Sequence, residues 1–192
     1  MSTRESLLDV TARLYAEHGW RGTTTRRIAE AAGVNEVTIF RQFGSKEALL
    51  LEAIHATSSD TPVSPLPAEP RLLRAELTAW ALAQHASISA RRGVMRSCLA
   101  ELDERPELAP TLCEGGVAAF ADGTRYLTVA RTAGLIGTRG SIEAAMVMLM
   151  NAVFMDAMTR DIMPPHHPLT VPEVIEMFVD LILRALGAPE ST

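Results

Sequence analysis

Apolar residues recur at helical spacing through most of the chain, and helix punctuation interrupts them at short intervals. Ser2 with Glu5 forms a capping box ahead of Leu7, Leu8, Leu14 and Tyr15, and Gly19 closes that run. The pattern predicts a first helix over 3–18. Thr23, Thr24 and Thr25 cap a short second helix over 25–32, ended by Gly33. Asn35 caps a third over 35–43, with Ile39 and Phe43 on one face and Gly44 as its stop. Ser45 starts a fourth, whose end blurs between His55 and Thr57. Two short helices three residues apart are the arrangement of a helix-turn-helix.

Prolines at 62, 65, 67 and 70 mark 58–70 as a connector, partly extended or mobile, because proline lacks the amide donor and disfavours helix in the residue before it. A loop inside a single domain is the alternative reading of this stretch. Beyond it the period predicts helices at 71–90, 93–104, 107–131, 141–162 and 172–186, with a glycine-rich turn over 134–140 and a bend or break near Gly115, Gly116 and Gly123. The last two helices are the most apolar. The first of them is apolar too far round for one stripe, so two sides need cover, either a thicker core or a second protomer. The expected fold is all-α: a helix-turn-helix unit at 1–57, the connector at 58–70, and a helical bundle at 71–192.

Composition narrows the function classes. The chain has 192 residues, 47% hydrophobic and 21% charged, with a net charge of −5, which excludes wholesale disorder. Residues 1–50 hold seven basic and six acidic side chains, against eleven and seventeen in the rest, so the N-terminal unit is the part suited to an anion. Cys98 and Cys113 form no CxxC pair and the first residues show no leader pattern, so a reduced, cytoplasmic protein is expected. The longest apolar run, Ala144 to Met155, is shorter than a membrane span. Catalytic motifs such as HExxH, GxSxG or a glycine-rich loop after a strand do not occur, and His166 and His167 sit between prolines, so no enzyme, no cofactor and no metal are expected.

The run LLDVTARLYAEHGWRGTTTRRIAEAAGVNEVTIFRQFGSKEALL resembles the DNA-binding domain of the TetR family of transcriptional regulators. The marks are Gly19-Trp20, Thr24-Thr25, Ile28-Ala29, Gly33-Val34, Phe40 with Phe43, and Ser45-Lys46-Glu47 before a leucine pair. An α-helix fits the major groove, and free amides at helix starts favour phosphate, which suits Thr25 and Lys46 to backbone contacts. The resemblance places Arg26, Glu36, Val37, Thr38 and Phe40 near bases and Gln42 near a phosphate, with Asn35 and Arg41 on the same unit. Phe40 stands where the family usually carries tyrosine, which removes one hydroxyl contact. For Arg26, Arg27 and Arg41 a solvated charged face stays open as the alternative.

The resemblance further implies an apolar cavity for a small effector that alters the spacing of two reading heads in a homodimer. Trp80, His85, Met95, Cys98, Phe120, Tyr126, Met150 and Phe154 are the candidate lining, and Met146, Val153, Val174, Phe178, Leu181 and Ile182 the candidate dimer interface. Ordinary core packing is the alternative for each. Few charges interrupt these helices, so the effector is expected to be largely apolar. The expected act is repression at a pseudo-palindromic operator. The competing reading is a helical ligand- or protein-binding module whose first unit does not read DNA specifically.

Overall fold

The computed structural model describes residues 2–59, 63–163 and 169–189; His166 and His167 lie outside the described residues. It contains helices α1 (Thr3–Gly22), α2 (Thr25–Ala32), α3 (Glu36–Phe43), α4 (Lys46–Ser59), α5 (Leu73–Glu101), α6 (Ala109–Thr132), α7 (Ile142–Thr159) and α8 (Val171–Ala185), with a 3₁₀ turn at Pro106–Leu108. No strand occurs among the described residues. The all-α expectation therefore holds.

The punctuation explains the early boundaries. Ser2 Oγ accepts the Glu5 amide at 3.2 Å while the Ser2 amide donates to the Glu5 carboxylate at 2.7 Å. Gly19 does not stop α1 outright: its φ of +64° puts a kink there, and one further turn follows to Gly22. Thr24 caps α2, Gly33 at φ +66° ends it, and Asn35 Oδ1 accepts the Val37 amide at 2.9 Å to start α3.

The chain divides into two compact units, Met1–Thr61 with Arg91–Gly115, and Pro62–Ala90 with Gly116–Thr192. Residues 91–115 thus group with the N-terminal helices and not with the bundle expected at 71–192. In the first unit Leu7, Val10, Ile28, Ala29, Ile39 and Leu49 form a core among α1 to α4. A second cluster joins Tyr15, Trp20, Leu50 and Ile54 to Val94, Cys98 and Leu108, and its most deeply buried members are at or near zero exposure.

Two helices expected at 71–90 and 93–104 are one continuous helix, α5. Gly93 is there for closeness and not for a break: a Cβ at this position would lie 3.0 Å from the Ala16 Cβ on α1. Gly93→Leu should therefore overpack this contact and cost about 1–3 kcal/mol, read as a lower urea midpoint at unchanged slope. An unchanged midpoint would show that the contact relaxes freely. The glycines of α6 do not break it either. A Cβ at Gly123 would run into the Met146 side chain, so the glycine lets α6 and α7 approach.

In the second unit the described part of the proline connector, expected to be partly extended or mobile, is non-helical and hydrogen-bonded to side chains of α6. Leu66 is buried, its amide donates to Asp122 at 2.8 Å, and Arg125 donates to the Leu66 carbonyl at 2.8 Å. The backbone polar groups that proline leaves without helix partners are thereby satisfied by side chains of α6. The glycine-rich turn is docked as well: the Gly137 amide donates to the Leu186 carbonyl at 2.8 Å, and Arg131 donates to the carbonyls of Gly137 and Gly140. Trp80, Tyr126, Met146, Leu149, Val153, Ile175, Val179 and Ile182 lie in the interior of this unit. Over its 18 residues α7 has the length and apolarity of a membrane-crossing helix, a sum that a count of uninterrupted apolar residues underestimates. Its Ile142, Met146, Leu149 and Val153 stripe is nevertheless buried in the protomer.

Candidate nucleic-acid interface

The α2–α3 pair and its surroundings carry ten residues with expected DNA contacts. At 100° per residue, α3 turns Ile39 into the core and sends Val37, Phe40 and Arg41 outward. Val37 is 69% exposed and Phe40 48%. Large apolar side chains left in water at this level, on the first two turns of one short helix, are the unusual feature of the unit.

The polar candidates are largely engaged with one another. The Thr25 hydroxyl donates to the Glu36 carboxylate at 2.8 Å, joining the first turn of α2 to the first turn of α3. Arg26 donates to Glu30 one turn later at 2.9 Å, and that hydrogen bond raises its pKa further. Asn35 is occupied as the α3 cap, Thr38 is half-buried, and Gln42 has a buried Oε1. The Lys46 ammonium donates to the Trp20 carbonyl at 2.7 Å, and burial lowers its pKa. Two of its three N–H bonds remain for another acceptor.

Sequence reasoning missed a set of residues that fix this unit. Glu101, near the end of α5, accepts the Trp20 amide at 2.8 Å through one oxygen and the Tyr15 hydroxyl at 3.2 Å through the other. Arg105 lies 3.9 Å over the Trp20 ring. Trp20 is thus held at its amide, its carbonyl and its ring, which fixes the corner between α1 and α2. Arg4 likewise pairs with Glu52 at 2.6 Å and lies 4.4 Å over the Phe43 ring, tying α1 to α3 and α4. Sequence separations of 39 to 86 residues leave no local signal for these partners.

Of the expected effector lining, Trp80, His85, Phe120, Tyr126, Met150 and Phe154 belong to the second unit. Met95 and Cys98 belong to the first unit, beside a cavity of about 10 Å³ that is too small for an effector. Trp80 and Tyr126 are buried, Tyr126 donates to Glu76, and His85 hydrogen-bonds Asp156 at 2.9 Å; Phe120, Met150 and Phe154 are half-buried. A cleft of about 1100 Å³ opens instead in the second unit between the start of α5 and α8. Leu73, Ala79, Leu82 and Leu183 line it, with Arg74 and Asp180 paired at its edge, and none of the eight expected residues does.

The expected dimer residues differ in their exposure within the protomer. Met146, Val153, Val174 and Ile182 are at most 4% exposed and are used by the protomer's own core. Phe178 is half-buried, and of the six only Leu181 is open, at 62%. The apolar residues that α7 and α8 leave uncovered are Val147, Met148, Met155, Met177 and Leu181.

Residues 7–53 match the model of the bacterial regulatory proteins of the tetR family. Over 51 residues the chain is 43% identical to the transcriptional repressor AcnR of Corynebacterium efficiens, covering 27% of each protein. Over 57 residues it is 42% identical to the repressor KstR2 of Rhodococcus jostii, covering 30% of this chain and 28% of that one. The chain therefore aligns with little more than a quarter of the length of these curated relatives. The fold extends the likeness: a TetR transcriptional regulator from Agrobacterium tumefaciens superposes with a TM-score of 0.79, covering 97% of this chain and 94% of that one at 18% identity. The N-terminal helices thus match the model of the tetR family of bacterial regulatory proteins, and the chain shares its fold almost end to end with a solved TetR regulator.

Proposed function

We propose that this protein is a cytoplasmic, sequence-specific DNA-binding repressor that acts as a homodimer on a pseudo-palindromic operator and is released by a small, largely apolar effector. The observation that carries the reading is α3 itself. It is a capped helix whose outward Val37, Phe40 and Arg41 are exposed, while α1, α2 and α4 hold its other face. Such a helix enters the major groove with its N-terminal residues against base edges. The repressor role is supported by the AcnR and KstR2 likeness in this unit. The cleft between α5 and α8 suits the effector by size and apolar lining.

Selection of duplexes from a random pool by the purified full chain, at physiological salt, tests the reading. The expected result is a palindromic consensus bound about 10³-fold tighter than a scrambled control. Arg26→Ala should lose about 1–3 kcal/mol at particular base pairs, whereas Lys46→Ala should weaken all sequences alike and lower the salt slope. A folded protein that enriches nothing would favour a ligand- or protein-binding module instead.

A further inference from the structure

We propose that Val37 reads the C5-methyl group of a thymine in each half-site, with Phe40 as the wall beside it. The inference rests on the DNA-binding reading above and adds the chemistry of recognition to it.

The argument starts from what α3 offers outward. Val37 lies in its first turn, the end that reaches base edges, and is the more exposed of the two large apolar side chains there. Phe40 follows three residues later on the same side and extends the apolar surface. The hydrogen-bonding groups that flank Val37 are turned to internal tasks. Asn35 caps the helix through the Val37 amide, and the Glu36 carboxylate accepts the Thr25 hydroxyl. Glu36, which could accept from cytosine N4, is thereby drawn toward α2 and away from the outward face.

The major groove then selects the partner. Guanine, cytosine and adenine present only donors and acceptors there, whereas thymine adds a methyl group. A valine pressed against the other three edges would strip water from polar atoms and return no bond. Against thymine it buries apolar surface on both sides. Arg41, exposed on the same outward face, keeps a charged group for the phosphate or a purine without contributing to this preference.

Deoxyuridine differs from thymidine by that methyl group alone. Each thymine of the selected operator is replaced singly by deoxyuridine, and affinity is measured with the full-length protein and with Val37→Ala. One or two positions per half-site should lose about three- to fivefold in affinity with the natural protein, the worth of one buried methyl. The same positions should be indifferent in Val37→Ala. Indifference of the natural protein at every thymine overturns the proposal and needs no variant to fold. A deoxyuridine penalty that persists in Val37→Ala overturns it too, since another residue then meets the methyl. Specific binding in either case leaves the repressor reading standing, whereas failure to enrich any duplex removes both.

Discussion

Asp156→Ala should destabilise the protein by about 2–3 kcal/mol at pH 7, measured by urea unfolding at fixed protein concentration. Asp156 of α7 accepts from Arg160 at 2.7 and 2.8 Å and pairs with His85 of α5 at 2.9 Å, and both His85 and Asp156 side chains are nearly buried. Arg160 also donates to the Leu169 carbonyl at 2.9 Å, so one carboxylate organises α5, α7 and the approach to α8. Its removal leaves an imidazole and a guanidinium without their acceptor. The loss stays below that of a fully buried ion pair because the Arg160 side chain is 27% exposed and can be hydrated in part.

The same site sets an acid limit. Burial opposes the charged carboxylate, but the hydrogen bonds from Arg160 and His85 outweigh it and hold the Asp156 pKa below its ordinary value. A carboxylate whose folded pKa is depressed contributes stability above its unfolded pKa, about 3.9, and loses it as pH falls through the folded value. The stability gap between the natural protein and Asp156→Ala should therefore narrow below about pH 4. A gap that is constant from pH 7 to pH 3 would show that Asp156 acts through packing alone.

The contrast between the two ends of the chain explains which features the sequence disclosed. Caps at Ser2, Thr24, Asn35 and Ser141 work within three residues of where they stand, so the boundaries of α1, α2, α3 and α7 could be read locally. The outward set of Val37, Phe40 and Arg41 follows from the same short-range geometry once Ile39 is assigned to the core. The continuity of α5 through 91–92 was not legible, and neither was the role of Gly93, because its partner Ala16 lies on a distant helix. The proline connector was readable as non-helical, but its partners were not, since Asp122 and Arg125 lie more than fifty residues away. Apolar residues on α7 and α8 could be recognised as covered on two sides, but which ones face the core depends on helix rotation, fixed by contacts such as Met146 against Gly123.

That rotation makes the oligomer testable. Met148→Glu together with Met155→Glu should convert the proposed homodimer to a half-mass species in sedimentation equilibrium while the helical circular dichroism is retained. Both residues are exposed, at 67% and 54%, so charge there does not enter the protomer core. In a dimer sealed by this strip of α7 the same carboxylates are taken from water without partners, which costs several kcal/mol per buried charge. Operator affinity should fall with it, by about 100-fold or more, because two linked heads on half-sites one DNA turn apart bind with an effective concentration that separate heads lack. Arg139→Glu, an exposed change in the turn before α7, should leave mass and affinity as they were. A double variant that keeps the dimer mass would move the interface away from α7 and onto surfaces such as Met177 and Leu181 of α8. By contrast, Met146→Glu should unfold the second unit outright, since that side chain is fully buried against α6 within one protomer.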